Sequence, residues 1–178
     1  MLRRCGFSRQ SNMAMSEAAL GLGSNLGDRA AHIYEALRRL ANHADIRVKA
    51  LSRLYQTPPW GPVAQPDFAN ACALIETGLA PLGLLDLVKG MEVAMGREPG
   101  LRWGPRLIDI DILFMAGISF DHPRLHLPHV DMLHRAFVLV PLAEIAPDTE
   151  IGGMRIDEAA RRVDVTHVVP WQGSGREA

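Results

Sequence analysis

The sequence has few of the features that mark membrane, secreted and nucleic-acid-binding proteins. Two of its 178 residues are cysteines, Cys5 and Cys72, which are too few for a disulfide framework. No apolar run approaches the roughly 20 residues that a membrane-spanning helix needs. The formal net charge is −1, so no broad positive field favours nucleic acid or an acidic membrane. We therefore expect a cytoplasmic protein with free thiols and with neither nucleic-acid nor membrane partners.

The first residues also lack the apolar core of a signal peptide. Arginines occur early, but residues 8–16 are polar where such a peptide needs its apolar stretch. We expect residues 1–16 to form a disordered extension, with Met13 or Met15 as the start. Residues 17–165 are enough for one domain with a single core. We expect residues 166–178 to form a flexible tail.

Apolar periodicity predicts six elements in the order strand, helix, strand, strand, helix, strand. They cover residues 18–23, 28–41, 46–56, 68–77, 81–96 and the strand that contains Asp109 and Asp111. This order is typical of an α+β, ferredoxin-like βαββαβ core, in which helices pack on an antiparallel sheet. A further helix within residues 128–146 and an amphipathic segment at 156–163 predict a C-terminal helical extension.

The most informative segment is residues 102–114, RWGPRLIDIDILF, where two carboxylates interrupt an apolar strand. Side chains at i and i+2 of a strand share a face, so Asp109 and Asp111 stand about 7 Å apart. Ile108, Ile110 and Ile112 then face the core. Such a pair can hold hard cations through oxygen ligands, although a D-x-D strand can also present its polar face to water. Asp is disfavoured in strands, which favours the metal interpretation.

The loop before this strand carries Arg97, Arg102 and Arg106 among glycines. Arginine can bind phosphate oxygens in a bidentate way, which makes these residues candidates for a phosphate site. Alternatively, they belong to a loop that is simply exposed to solvent. Trp103 in the same loop, like Trp60 in a proline-rich loop, is either a core residue or a surface for stacking. Cations, positive charge and an aromatic ring in one segment indicate a polyphosphate beside a flat ligand.

Four histidines lie close together in the sequence at positions 122, 126, 129 and 134. Zinc binding is disfavoured, because prolines interrupt the segment and no cysteine joins it. A phosphate contact is more plausible for His129, since Arg135 follows closely. The glycines of residues 21–27 lack the spacing of a dinucleotide fingerprint, and a tight turn with Asp28 at or near the helix cap explains them.

Eight short motifs follow one another in a consistent order between residues 18 and 160. They are GSNLG at 23–27, YQTPP at 55–59, QPDFAN at 65–70, RWGPR at 102–106, DID at 109–111, LPH at 127–129, RAF at 135–137 and PLAEIAP at 141–147. Together they resemble the 6-hydroxymethyl-7,8-dihydropterin pyrophosphokinase family. The resemblance implies transfer of pyrophosphate from ATP to the pterin hydroxymethyl group in folate biosynthesis, with release of AMP.

The resemblance also implies the role of each site residue. Asp109 and Asp111 would hold two Mg²⁺ ions and, with Arg97, form the catalytic set. The pterin would contact Thr57, Pro58, Phe68, Asn70, Trp103 and Phe137. ATP would contact Glu92, Arg97, Arg106, Ile112, His129 and Arg135. The partners would be these two small molecules, and we expect a monomer.

The sequence departs from the family pattern at three places. The loop after Arg97 lacks a further arginine, for which Arg102 is a candidate substitute. Phe68 stands where a tyrosine is common, and Trp60 replaces a smaller aliphatic residue. Two other functions stay open: a metal-dependent nucleotidyltransferase and a non-catalytic ferredoxin-like module that binds its ligand without Mg²⁺. The wide separation of Ser24 from Asp109 disfavours the nucleotidyltransferase.

Overall fold

An antiparallel sheet runs through the computed structural model, which describes residues 15–59, 64–97 and 105–172. The elements are β1 (Ser16–Ser24), α1 (Arg29–Ala41), β2 (Ile46–Leu51), β3 (Tyr55–Thr57), β4 (Phe68–Thr77), α2 (Pro81–Ala94), β5 (Asp109–Met115), β6 (Phe120–His122), β7 (Leu125–Leu127), a 3-10 turn (Met132–His134), α3 (Ala136–Ile145), β8 (Glu150–Ile151), β9 (Met154–Arg155), α4 (Ile156–Arg162) and β10 (Val169–Pro170). Within these ranges, no helix is long and apolar enough to cross a membrane.

The main sheet has the order β10-β3-β4-β1-β5, and β2 also pairs with β4. All of these pairs are antiparallel. The prediction of a mixed α and β protein with an antiparallel sheet and packed helices is confirmed. β5, which carries the two aspartates, lies at one edge of this sheet.

Alternating side chains of the strands give the sheet an apolar core on each face. Leu20 and Ile110 belong to the core that includes Ile33 of α1 and Leu84 of α2. A second core contains Phe114 of β5, with Leu139 and Leu142 of α3 and Ile156 of α4. The structure thus places helices of the C-terminal part against the face that α1 and α2 leave open.

Two predicted elements are each divided in the structure. The single strand predicted over residues 46–56 is wrong, because β2 ends at Leu51 and β3 begins at Tyr55. Ser52 separates them: its hydroxyl accepts a hydrogen bond from Cys72 N at 2.9 Å, in place of a backbone acceptor. The helix predicted within residues 128–146 is present as α3, but it covers only Ala136–Ile145. There, Arg135 has extended backbone angles and separates the 3-10 turn from α3.

The predicted domain limits also need correction where the structure describes them. Ser16 already belongs to β1, whereas residues 1–14 lie outside the described residues. Val169–Pro170 pairs with β3, and Trp171 N donates to Leu54 O at 2.9 Å. The guanidinium of Arg29 stacks over the Trp171 ring at 4.4 Å. The prediction of a flexible tail is therefore wrong for residues 169–171, and residues 173–178 lie outside the described residues.

Asn25 joins three segments of the chain near the site. It is 1% exposed and follows β1. Its side-chain oxygen accepts from Arg106 N at 2.7 Å, and its amide nitrogen donates to Gln65 Oε1 at 2.9 Å and Pro66 O at 3.2 Å. The turn after β1 thus holds both the segment that leads into β4 and the segment that leads into β5.

We expect Asn25→Ala to lower the free energy of unfolding by roughly 2–4 kcal/mol, because it removes the three hydrogen bonds that this buried side chain makes to Arg106, Gln65 and Pro66. Urea denaturation measures the change. Asn42→Ala is the matched control: Asn42 is exposed, and its loss should cost less than about 0.5 kcal/mol. Equal stability of the two variants would contradict the bridging role of Asn25.

Candidate active site

Asp109 and Asp111 lie on one side of β5, as the alternation predicted. Their side chains are 19% and 41% exposed, respectively. Ile108, Ile110 and Ile112 are buried in the first core. The carboxylates therefore face a cavity, while the three isoleucines that alternate with them anchor the strand in the core.

Asp109 is surrounded by positive charge. Its Oδ1 accepts a hydrogen bond from Arg97 Nη1 at 2.7 Å, its Oδ2 pairs with Arg106, and Lys89 Nζ lies 3.6 Å from Oδ1. Burial by itself would raise the pKa of Asp109, but the charges of Lys89, Arg106 and Arg97 outweigh it and lower that pKa below its ordinary value. Asp109 is consequently an anion at neutral pH.

Glu92 of α2 contacts the backbone of β5. Its side chain is 2% exposed and pairs with Lys89 at 2.7 Å and with Arg97. Glu92 Oε1 also accepts from Ile110 N at 2.7 Å, and Lys89 Nζ donates to Ile110 O at 2.9 Å. Burial raises the pKa of Glu92, against the opposing charge of Lys89. The two α2 side chains thereby satisfy the open backbone groups of an edge strand between the aspartates.

A cavity of about 280 Å³ opens in front of the carboxylates. It brings together ten of the predicted site residues: Thr57, Pro58, Phe68, Asn70, Arg106, Asp109, Asp111, His129, Arg135 and Phe137. Asn70 is 7% exposed and donates to Thr57 Oγ1 at 2.7 Å, which fixes its amide at the cavity wall. Residues from four separate parts of the chain thus share one pocket.

Two glycines of β1 form the floor of this cavity. Gly23 is paired with Asn70 on one side and with Asp109 on the other, and Gly21 is paired with Cys72 and Asp111. A Cβ atom on Gly23 would lie 3.1 Å from Asn70 Oδ1. The absence of a side chain at Gly23 therefore lets the Asn70 amide and the Asp109 carboxylate flank the same open space.

His129 and Arg135 form a basic wall of the cavity. Arg135 Nη2 pairs with Asp131 at 2.8 Å, and its guanidinium lies 5.8 Å from the Phe137 ring centroid. Arg135 Nε is buried and has no hydrogen-bond partner in the described part of the chain. Burial lowers the pKa of His129, which favours the neutral imidazole, although Asp111 acts in the opposite direction. An oxygen-rich ligand would supply the acceptor that Arg135 Nε lacks.

A second cavity of about 210 Å³ meets the first at Asp111 and His129, which line both. Ile112 and Lys89 belong to its lining, with Arg124 and His126 of the β6–β7 hairpin region. The site thus consists of two adjoining cavities with a carboxylate and an imidazole where they meet.

Several predicted residues lie elsewhere. Glu92 and Arg97 contact Asp109 or its strand without lining the first cavity. Trp60, Arg102 and Trp103 lie outside the described residues. Across residues 15–59, 64–97 and 105–172, no group of three or more His, Cys, Asp or Glu side chains is placed to hold a metal ion.

Lys89, Gly21 and Gly23 belong to the site, although the sequence alone did not indicate them. Lys89 lies three residues before Glu92 on α2, a spacing that predicts an ion pair but not its contact with β5. For residues 21–28, the sequence predicted only a tight turn and a helix cap. The predicted cap is confirmed, since Asp28 accepts from Ala31 N at 3.0 Å, but Gly21 and Gly23 also line the cavity.

A family model and two relatives of known name point to the same family. The sequence model of the 7,8-dihydro-6-hydroxymethylpterin-pyrophosphokinase (HPPK) family matches residues 19–147. The chain is 51% identical over 150 residues to the 2-amino-4-hydroxy-6-hydroxymethyldihydropteridine pyrophosphokinase of Methylorubrum extorquens, covering 84% of this chain and 95% of that protein. It is 41% identical over 157 residues to the protein of the same name from Pseudomonas aeruginosa, covering 88% and 94%.

A solved structure has the same fold at low sequence identity. The HPPK-DHPS protein of Plasmodium falciparum superposes with a TM-score of 0.67 at 17% identity, over 85% of this chain and 46% of that one. The chain thus spans about half of that longer protein. The resemblance carried by the motifs is confirmed by the family match and by both relatives: the chain belongs to the 7,8-dihydro-6-hydroxymethylpterin-pyrophosphokinase family.

Proposed function

We propose that this protein transfers the pyrophosphoryl group of ATP to the hydroxymethyl oxygen of 6-hydroxymethyl-7,8-dihydropterin in folate biosynthesis. The pterin oxygen bonds to the β-phosphorus, the bond from that phosphorus to the α,β-bridging oxygen breaks, AMP leaves, and the hydroxyl proton is released. The observation that carries the proposal is the meeting of two cavities at Asp111, beside Asp109. Family membership supports the same reaction.

The first cavity suits the pterin. Phe68 and Phe137 offer ring faces for a flat heterocycle, and Thr57 and Asn70 offer polar groups for its edge. The Asn70–Thr57 hydrogen bond fixes the orientation of the amide before the ligand arrives. We assign Pro58 and Trp103 to the pterin side as well, on the family pattern.

The second cavity suits the nucleoside part of ATP, with Ile112 in its wall. The phosphates would then extend past Asp111 and His129 into the first cavity, where Arg106 and Arg135 line the wall. The unpartnered Arg135 Nε supports a phosphate oxygen at that position. Arg97 would stabilise charge that develops on the phosphates, and Glu92 would hold Arg97 in place.

The donors of the site fit Mg²⁺. Asp109 and Asp111 present hard oxygen ligands on one face, and Mg²⁺ is commonly held by one or two carboxylates together with substrate phosphates. We propose that these two aspartates hold two Mg²⁺ ions with ATP. The ions would neutralise phosphate charge and acidify the pterin hydroxyl. The chain's own contribution is to orient both substrates in line and to surround the phosphates with fixed cations.

We also propose a ferredoxin-like core, a cytoplasmic location and a monomeric state. The order of the sheet strands supports a ferredoxin-like core, with β2 and β3 together occupying one strand position. The buried free thiol of Cys72 suits the cytoplasm. Exposed large apolar side chains lie on different parts of the chain, such as Tyr34 on α1, Val93 on α2 and Val165 after α4, which supports a monomer.

AMP release from ATP and Mg²⁺, measured with and without 6-hydroxymethyl-7,8-dihydropterin, tests the proposed function. We expect AMP and the pterin diphosphate in equal amounts, and only when the pterin is present. A nucleotidyltransferase would release pyrophosphate instead. A non-catalytic module would bind the pterin without Mg²⁺ and release no AMP, and either result would contradict the proposal.

We expect Asp111→Asn to lower kcat by at least about a hundredfold, because it removes a carboxylate where charge stabilisation is needed. Pterin affinity, measured by fluorescence titration, should change by less than about threefold. Asp45→Asn is the control, since Asp45 is exposed and lines neither cavity. Retained turnover of Asp111→Asn with unchanged Mg²⁺ dependence would contradict the metal assignment.

We expect Phe68→Leu to raise the KM for the pterin by roughly twofold to tenfold, because an aromatic pair contributes about 0.5–1.5 kcal/mol beyond its buried area. The KM for ATP should stay within about twofold. Phe68→Tyr keeps the ring and should bind the pterin as the original protein does. If Phe68→Leu raised the KM for ATP and left that for the pterin unchanged, the assignment of the two cavities would be wrong.

A further inference from the structure

Lys89 is the side chain that joins the two aspartates to the α2 helix. Its Nζ lies 3.6 Å from Asp109 Oδ1 and 3.6 Å from Asp111 Oδ1. The same nitrogen donates to Glu92 Oε1 at 2.7 Å and to Ile110 O at 2.9 Å. One ammonium group thus lies between both carboxylates that we assign to Mg²⁺.

Asp109 and Asp111 differ in the number of other cations that pair with them. Asp109 has Arg97 and Arg106 in addition to Lys89. Asp111 has Lys89 as its only salt-bridge partner among the described residues, and its side chain is 41% exposed. Among the described residues, Lys89 is therefore the one cation that both carboxylates share.

Lys89 is also able to change partners. Its side chain is 38% exposed and lines the second cavity, where we place the nucleoside of ATP. A lysine ammonium on a flexible four-carbon stem can turn from a carboxylate to a phosphate oxygen with little rearrangement. Arg97 is the less exposed of the two cations at 27%, and it does not line the second cavity.

We propose that Lys89 is the resident counter-cation of the aspartate pair, and that it releases the pair to Mg²⁺ when a nucleotide phosphate takes over its ammonium group. Lys89 thus couples metal binding to ATP binding. The inference rests on the proposed function, because it takes Asp109 and Asp111 as the metal ligands. In the nucleotide-free protein, a divalent ion at the pair must compete with the Lys89 charge.

The test is calorimetric titration of the nucleotide-free protein with Mn²⁺, which needs no turnover. We expect Lys89→Met, which keeps the length of the side chain and removes its charge, to bind Mn²⁺ on the order of tenfold more tightly. The complex of Mg²⁺ with α,β-methylene-ATP should bind the same variant several-fold more weakly, because a phosphate contact is lost. The matched control is Lys49→Met, since Lys49 is the other lysine of the chain and pairs with Glu76 on the sheet.

A purely structural role for Lys89 predicts a different result. If Lys89 only satisfied Ile110 O, Lys89→Met would melt at a lower temperature and bind Mn²⁺ as the original protein does, which would overturn the proposal. Should the buried charge of Glu92 prevent folding of this variant, Lys89→Met combined with Glu92→Gln removes both charges and gives the same comparison. Mn²⁺ binding that survives Asp111→Asn would instead overturn the metal assignment of the proposed function.

Discussion

The site depends on the way in which α2 completes the edge of the sheet at Ile110. An edge strand has backbone groups without partners, and here Glu92 accepts from Ile110 N while Lys89 donates to Ile110 O. These contacts place a buried carboxylate and an ammonium group between Asp109 and Asp111. The charges that tune the aspartates therefore come from the same side chains that hold the strand in the sheet.

The geometry of β1 explains why the cavities are open in front of this strand. The pairing of Gly23 with Asn70 and Asp109, and of Gly21 with Cys72 and Asp111, places residues of β4 and β5 on either side of a floor without side chains. Asn25, at the end of the same strand, holds the segments that lead into β4 and β5. One strand thus sets both the width of the site and the position of its walls.

Much of this arrangement could be predicted from the sequence, because period-two alternation fixed the faces of β5 and the motifs fixed the residue types of the site. The division of residues 46–56 could not, since it depends on a hydrogen bond between Ser52 and Cys72, distant in sequence. The role of Lys89 was missed for a similar reason: its spacing from Glu92 shows on a helix, but its contact with β5 is tertiary. The pairing of Val169–Pro170 with β3 likewise lacks a local signal.

The proposed function requires that Asp109 and Asp111 hold the metal ions between a nucleotide and a pterin. A crystal structure with Mg²⁺, α,β-methylene-ATP and 6-hydroxymethyl-7,8-dihydropterin tests it most directly. We expect Mg²⁺ on both carboxylates, the pterin beside Phe68 and Asn70, and the phosphates between the two cavities. Mg²⁺ bound away from Asp109 and Asp111, or the pterin and the nucleoside in exchanged cavities, would contradict it.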